Sequence, residues 1–101
     1  MSDTRNLLSR AVSLYVGYGL EPYPKEDAAR LNPLFGHEIS VQLDRQIQQI
    51  LSDLGQLKPD WKIHSLSSAG VWAKQEISSR YAELDEDALD ALEWLFTWWW
   101  R

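Results

Sequence analysis

Apolar residues recur every three or four positions in four stretches of the chain, which is the period of an amphipathic α-helix. In residues 4–18 these positions are Leu7, Leu8, Ala11, Val12, Leu14, Tyr15 and Tyr18. Ser2 or Asp3 is a suitable N-cap, because a short polar side chain can accept a hydrogen bond from a free amide of the first turn. Gly17 and Gly19 are predicted to end this helix, since glycine commonly follows a helix end.

Prolines shape the next segment. Pro22 and Pro24 each fix their own φ and keep the preceding residue out of the helical region, so residues 21–24 are predicted to be extended. Pro24 also suits the first position of a short helix that continues to Leu31. Asn32 and Pro33 are predicted to end that helix.

The clearest helical pattern covers residues 37–54. One face of this predicted helix carries Ile39, Leu43, Ile47, Ile50, Leu51 and Leu54. Gly55 is its predicted C-cap. Residues 65–81 show the same period at Leu66, Ala69, Ala73, Ile77 and Tyr81. Gly70 lowers the intrinsic helix propensity of that segment, so packing must hold it.

The last helix has a well-marked start. Asp85 is placed as its N-cap, with Glu86 and Asp87 in the first turn, where the helix dipole favours negative charge. Leu84 and Leu89 are spaced as a hydrophobic staple around this cap. Farther along, a narrow arc of the helical wheel is expected to face the core: Leu89, Leu92, Phe96 and Trp99.

Together these elements predict an all-α fold, a single-domain bundle over residues 1–101 with four main helices plus one short helix. The residues expected in its core are Leu7, Leu14, Leu43, Ile47, Ile50, Leu92 and Phe96.

Composition agrees with one globular domain, because 45% of the 101 residues are hydrophobic and 25% are charged. The chain has no cysteine, which excludes thiolate chemistry and disulfides and favours a cytoplasmic location. The first residues lack a signal-peptide pattern, and the longest apolar run, residues 94–100, is far shorter than the roughly 20 residues of a spanning helix. We therefore expect a cytoplasmic protein with no membrane partner.

The charge distribution limits the possible partners. Residues 81–101 contain six carboxylates and one basic side chain, so this segment alone accounts for the net charge of −5. No basic cluster is present to neutralise a phosphate backbone, so nucleic acid is not an expected partner. The carboxylates lack the spacing of a calcium loop, and His37 and His64 lack the spacing of a zinc site. We predict no metal, no cofactor and no catalytic residue, and the serines beside His64 do not by themselves make a catalytic pair.

Trp94 and Trp98 lie one turn apart, on the side of the last helix opposite Phe96. Glu86, Asp90 and Glu93 border them. Either another part of the chain buries the two indoles, or they form a binding surface, because tryptophan is enriched at binding hot spots. This helix face is the predicted partner-binding site.

A second candidate is the loop before the third helix, because loops on a rigid scaffold often carry binding residues. Its residues of interest are Tyr18, Tyr23, Lys25, Asp27 and Arg30. Glu26 and Arg30 are spaced for an i,i+4 ion pair. A packed structural loop is the alternative interpretation.

Two parts of the sequence resemble a loosely defined group of short, uncharacterised bacterial proteins. One is residues 18–30 with Phe35–Gly36, and the other is residues 87–94 with the aromatic tail that follows. The resemblance implies a bacterial, cytoplasmic, all-α protein. It implies no catalytic residue.

Two hypotheses for function follow. The first is a small acidic, non-enzymatic protein-binding module, of the kind that immunity proteins and antitoxins represent, since an acidic face speeds association with a basic toxin or enzyme. Such a module is expected to be a monomer or a weak homodimer. The second is a small-ligand-binding protein or enzyme with a cleft lined by Trp61, Trp72 and the tyrosines.

Overall fold

The computed structural model describes the backbone of residues 4–101 and the side chains of residues 7–101. These residues form α-helices, one 3-10 turn and irregular connections, with no strand among them, so the all-α prediction is confirmed. The helices are α1 (Thr4–Val16), α2 (Asn32–Phe35), α3 (His37–Gln56), α4 (Leu66–Arg80) and α5 (Glu86–Trp99). The predicted cap at Ser2 or Asp3 lies outside the described residues. No helix of the described part of the chain is long and apolar enough to cross a membrane.

Helix α5 is the centre of the fold. It packs against α4 on one side and α1 on the other, and it also contacts α3. Because it has neighbours on several sides, a broad part of its surface is buried: Ala88, Leu89, Ala91, Leu92, Leu95 and Phe96. Leu92 and Phe96 are therefore core residues, as predicted. Trp99 is 39% exposed, so its predicted place in the core is wrong.

The start of α5 is fixed both locally and by α1. The Asp85 carboxylate accepts a hydrogen bond from the Ala88 amide at 2.9 Å, which confirms the predicted cap. Leu84 and Leu89 are both buried, as expected for the staple. The sequence did not reveal the contribution of Ser9, whose buried hydroxyl accepts a hydrogen bond from the Asp85 amide at 2.9 Å.

Helix α1 buries four of its predicted apolar positions, but the two expected in the core, Leu7 and Leu14, are not among them. Its buried residues follow the helical period closely: Leu8, Ala11, Val12, Tyr15 and Val16. Leu7 and Leu14 are only partly buried, because they lie at the margin of the surface that contacts α3 and α5. The helix ends at Val16, so Tyr18 belongs to the following loop rather than to the helix. Gly17 has a φ of +84°, as the predicted helix stop requires.

Helix α3 confirms the predicted burial of Leu43, Ile47 and Ile50. At its ends the predictions fail. Ile39 is 44% exposed and lies outside the core, although Ser40 beside it is buried. Gly55 is not the C-cap, since the helix continues to Gln56 and is capped by Leu57.

The short helix also differs from its prediction. Residues 24–27 are irregular, Ala28–Arg30 form a 3-10 turn, and α2 then begins at Asn32. Pro33 lies in the first turn of α2, where a missing amide hydrogen costs no hydrogen bond, so it starts a helix instead of ending one.

Candidate functional site

An open groove of about 590 Å³ runs beside α4 and α5. Its lining residues come from both helices and from the loop after α1: Tyr18, Leu66, Ser67, Val71, Asp90, Glu93, Trp94, Thr97, Trp98 and Arg101. The groove therefore combines part of both predicted sites. We call it the aromatic groove.

Two tyrosine–tryptophan contacts join the loop to α5. Tyr18 meets Trp94 edge-on, with ring centroids 5.7 Å apart, and Tyr23 stacks on Trp98 at 5.6 Å with an interplanar angle of 16°. The loop thus supplies the second surface that the two indoles need, although it does not bury them completely. Trp94 is partly buried, whereas Trp98 remains 40% exposed. The helix face and the loop are one continuous surface.

Arg30 holds the loop in this position. Its guanidinium donates hydrogen bonds to the carbonyl oxygens of Leu14, Tyr15 and Lys25 and pairs with the Glu21 carboxylate at 2.9 Å. The first two carbonyls belong to the last turn of α1, where a positive charge is favourable. The predicted Glu26–Arg30 pair is wrong, because Arg30 turns back toward α1 instead of along its own short turn.

Gly17 permits that approach of Arg30. A β-carbon at Gly17 would lie 2.7 Å from Nη1 of Arg30 and 2.9 Å from Cγ of Glu21. Glycine is therefore required here for space as well as for its positive φ. Of the other predicted loop residues, Asp27 caps the 3-10 turn through the Ala29 amide, and Lys25 is exposed. Arg30 and Asp27 thus shape the loop, and Tyr18 and Tyr23 present its contact surface.

The three predicted carboxylates are not equivalent. Nζ of Lys74, on α4, lies 2.5 Å from Oε1 of Glu86 and 2.6 Å from Oδ1 of Asp90. The hydrogen bonds that Lys74 donates to Asp90 and Glu86 raise the pKa of Lys74, so this ammonium stays charged and offsets part of the acidic stripe. Glu93 forms no ion pair with any described residue and lines the groove. It is the open carboxylate of the site, and Glu86 lies outside the groove.

The close approach of α4 to α5 depends on Gly70. A β-carbon there would lie 2.7 Å from Cγ2 of Thr97 and 3.2 Å from Cγ of Glu93. Thr97 is fixed in turn, because its hydroxyl donates to the Trp94 carbonyl at 2.9 Å. A glycine within α4 therefore allows its close contact with Thr97 and Glu93, two residues that line the aromatic groove.

Trp61 and Trp72, the tryptophans of the alternative cleft, have different aromatic neighbours. Trp61 packs against Trp100, with ring centroids 5.4 Å apart, whereas Trp72 contacts the His64 ring at 5.7 Å. Neither residue lines the aromatic groove. Of the tyrosines, Tyr18 lines the groove and contacts Trp94, and Tyr23 stacks on Trp98.

The histidine and serine residues near α4 form a helix cap. Nδ1 of His64 lies 3.1 Å from the Ser68 hydroxyl, but this hydroxyl also accepts a hydrogen bond from the Ser65 amide in a capping box. The pair is exposed, and no described carboxylate orients the imidazole, as a catalytic triad requires. The described residues also contain no group of three metal-binding side chains.

Sequence reasoning missed the roles of Lys74 and Arg101 and the close contact of Gly70 with Thr97. Lys74 meets Asp90 across 16 positions, a separation that no helical pattern reveals. Gly70 did carry a signal, because a glycine inside a helix often marks a close packing contact.

No family model, curated protein or solved structure matches the chain. The function must therefore be argued from the geometry of the groove itself.

Proposed function

We propose that this chain is a small, non-enzymatic protein-binding module that docks on a basic partner through the aromatic groove. In this proposal the helices form a bundle around α5 that serves as a rigid scaffold. The observation that carries it is the exposed Trp98 in a groove that also contains the unpaired Glu93. The partner we infer is a basic toxin or enzyme, which the chain would inhibit as immunity proteins and antitoxins do.

The packing of the groove supports this role. A tryptophan that is held by a stacked neighbour, as Trp98 is by Tyr23, loses little side-chain entropy when a partner covers it. Ordered aromatic side chains of this kind dominate the binding energy of many protein interfaces.

The electrostatics support the same role. The chain carries a net charge of −5, which attracts a basic partner during diffusional encounter. Lys74 neutralises part of the stripe at Glu86 and Asp90, so the attraction at the groove itself centres on Glu93. A charge reversal at Glu93 is therefore a cleaner test than one at Asp90, which would also break the contact with Lys74.

The volume of the groove favours a second candidate function. About 590 Å³ lies within the range of roughly 300–1,000 Å³ that is typical of small-molecule sites, and aromatic walls are common in such sites. A small-ligand-binding protein is thus the alternative. The two candidates differ in their partner, so purified protein from the native host would retain a small molecule in native mass spectrometry only in the second case.

The test compares two exposed tryptophans. Tagged wild-type protein, Trp98→Ala and Trp61→Ala are incubated with lysate of the native host, and retained proteins are quantified at low and high salt. Trp61 is the matched control, because it is 45% exposed and lies outside the groove, against 40% for Trp98. Circular dichroism checks that each variant is folded.

We expect a basic protein that wild type and Trp61→Ala retain equally. Trp98→Ala should bind the purified partner about 30-fold more weakly, which corresponds to a hot-spot loss of about 2 kcal/mol. Glu93→Lys should mainly slow association and reduce its dependence on salt. The proposal is wrong if every retained protein is indifferent to Trp98→Ala.

A further inference from the structure

The aromatic groove already holds a cation of its own chain. Cζ of Arg101 lies 4.8 Å from the centroid of the Trp98 ring, which is within the range of a cation–π contact. Arg101 forms no ion pair with a carboxylate of the described residues. The groove therefore accommodates a guanidinium through an aromatic face alone, while the Glu93 carboxylate on its lining remains unpaired.

We propose that Trp98 and Glu93 form a binding site for an arginine side chain of the partner, and that Arg101 occupies part of this site in the free protein. This inference rests on the proposed function and specifies the chemistry of the partner. The partner's arginine takes the place of Arg101 over Trp98 and adds an interaction with Glu93 that Arg101 does not make.

The shape of the site favours arginine over lysine. A guanidinium is flat and weakly hydrated, so it can stack on an indole while its edge donates hydrogen bonds to a carboxylate. An ammonium is a compact, strongly hydrated point charge and loses more hydration in such a groove. Only one carboxylate of the groove is open, because Asp90 is already held by Lys74. The site is thus suited to a single arginine.

Arg101 then acts as an intramolecular competitor. A cation–π contact at an exposed site is weak, so Arg101 occupies Trp98 for most of the time without blocking it firmly. When a site is free for only a fraction of the time, the apparent affinity falls to that fraction of its intrinsic value. From the usual strength of exposed contacts, removing Arg101 should tighten arginine binding about three- to six-fold.

The experiment uses N-acetyl-arginine amide as the probe, with the lysine and citrulline analogues as controls. Citrulline has nearly the shape of arginine but no charge. The whole chain is titrated at constant ionic strength, and the indole N–H signals of the six tryptophans are followed by NMR. The signals are assigned with single Trp→Phe variants, and the Trp61 signal serves as an internal control.

We expect the arginine amide to shift the Trp98 signal and leave the Trp61 signal in place. Lysine amide should bind more weakly, and citrulline amide should not bind. Arg101→Ala should tighten the binding of arginine amide about three- to six-fold, and Glu93→Gln should weaken it. A Trp98 signal that responds equally to arginine and citrulline, or an Arg101→Ala variant that binds no better, overturns the inference.

This result is separable from the proposed function. If partner binding depends on Trp98 but arginine amide does not shift its signal, the docking surface stands and the arginine site fails. If arginine amide binds as expected but no protein depends on Trp98, the arginine site stands and the proposed function fails.

Discussion

Replacing Gly70 by alanine tests the close packing of α4 against Thr97 and Glu93, two residues that line the aromatic groove. Within a helix, Gly→Ala normally stabilises a protein by about 0.8–1 kcal/mol, because glycine loses more backbone entropy on folding. At Gly70 the added methyl carbon would meet Cγ2 of Thr97 at 2.7 Å, a distance that real β-carbons essentially never show. The two effects oppose each other, so their sizes decide the sign.

The steric effect should win. Adding a methyl group to a packed contact typically costs about 1–3 kcal/mol. Thr97 cannot turn away freely, because its hydroxyl is bonded to the Trp94 carbonyl and its helix is packed on two sides. After the propensity gain is subtracted, Gly70→Ala should lower the free energy of unfolding by up to about 2 kcal/mol.

Gly55 is the matched control. It also lies inside a helix, but a β-carbon there would have nothing within 4 Å. Gly55→Ala should therefore stabilise the protein by about 0.5–1 kcal/mol. The opposite signs of the two substitutions would separate packing from propensity.

Urea unfolding followed by circular dichroism at a helical wavelength measures both variants. The double variant Gly70→Ala with Thr97→Ser removes the clashing methyl group and keeps the hydroxyl, so it should recover most of the lost stability. If Gly70→Ala stabilises the protein as much as Gly55→Ala does, α4 and α5 are farther apart than described and the account of the groove is wrong.

Three further substitutions test the fold and the loop. Burial and a hydrogen bond to Asp53 raise the pKa of Tyr81 from 10.0 to about 12. The unfolded chain therefore loses this proton at a lower pH than the folded chain, so the free energy of unfolding should fall between pH 10 and 12. Tyr81→Phe should flatten that decline in urea unfolding measured across this pH range, and an unchanged slope would contradict the assignment. Arg30→Lys keeps the positive charge but loses the forked hydrogen-bond donors that hold the loop. Tyr23 should then pack less firmly on Trp98, and acrylamide should quench the indole fluorescence more easily. Unchanged quenching would contradict the role of Arg30 in holding the loop. Leu92→Ala should cost about 2–5 kcal/mol in urea unfolding, because Leu92 is 1% exposed, and a loss below 1 kcal/mol would place it outside the core.

The parts of the fold that depend on short-range patterns could be predicted from the sequence. The core positions of α3 and α5 follow from the helical period, and the Asp85 cap follows from side-chain chemistry within one turn. Such features need no knowledge of the neighbouring helices. This is why Ile47, Leu92 and Phe96 were predicted correctly.

Features that depend on the arrangement of helices could not be predicted in this way. The apolar residues of α1 cover more than one face, and only contact with α3 and α5 decides that Leu8 and Val12 are buried more deeply than Leu7 and Leu14. Trp99 lies on the predicted core arc, three residues after the fully buried Phe96, and is nevertheless 39% exposed. Periodicity identifies a face, and it does not show how far along a helix that face remains buried.

The same limit explains why the two candidate sites looked separate in the sequence. The helical wheel shows that Trp94 and Trp98 point away from Phe96, but it cannot show what they meet there. The answer depends on Arg30, whose bonds to the α1 carbonyls bring Tyr18 and Tyr23 across to α5. A loop that would otherwise be a plain connection thereby covers part of an apolar helix face.

That partial cover has a physical consequence for binding. Two fully exposed indoles beside each other would form an apolar patch prone to non-specific association. Full burial would instead leave no surface for a partner. Tyr18 contacts the partly buried Trp94, and Tyr23 stacks on Trp98, which keeps 40% of its surface open in the groove that Glu93 also lines. A preorganised aromatic face beside one unpaired charge favours a partner that offers a cation on a flat group, and this is the physical reason for placing an arginine at the centre of the proposed interface.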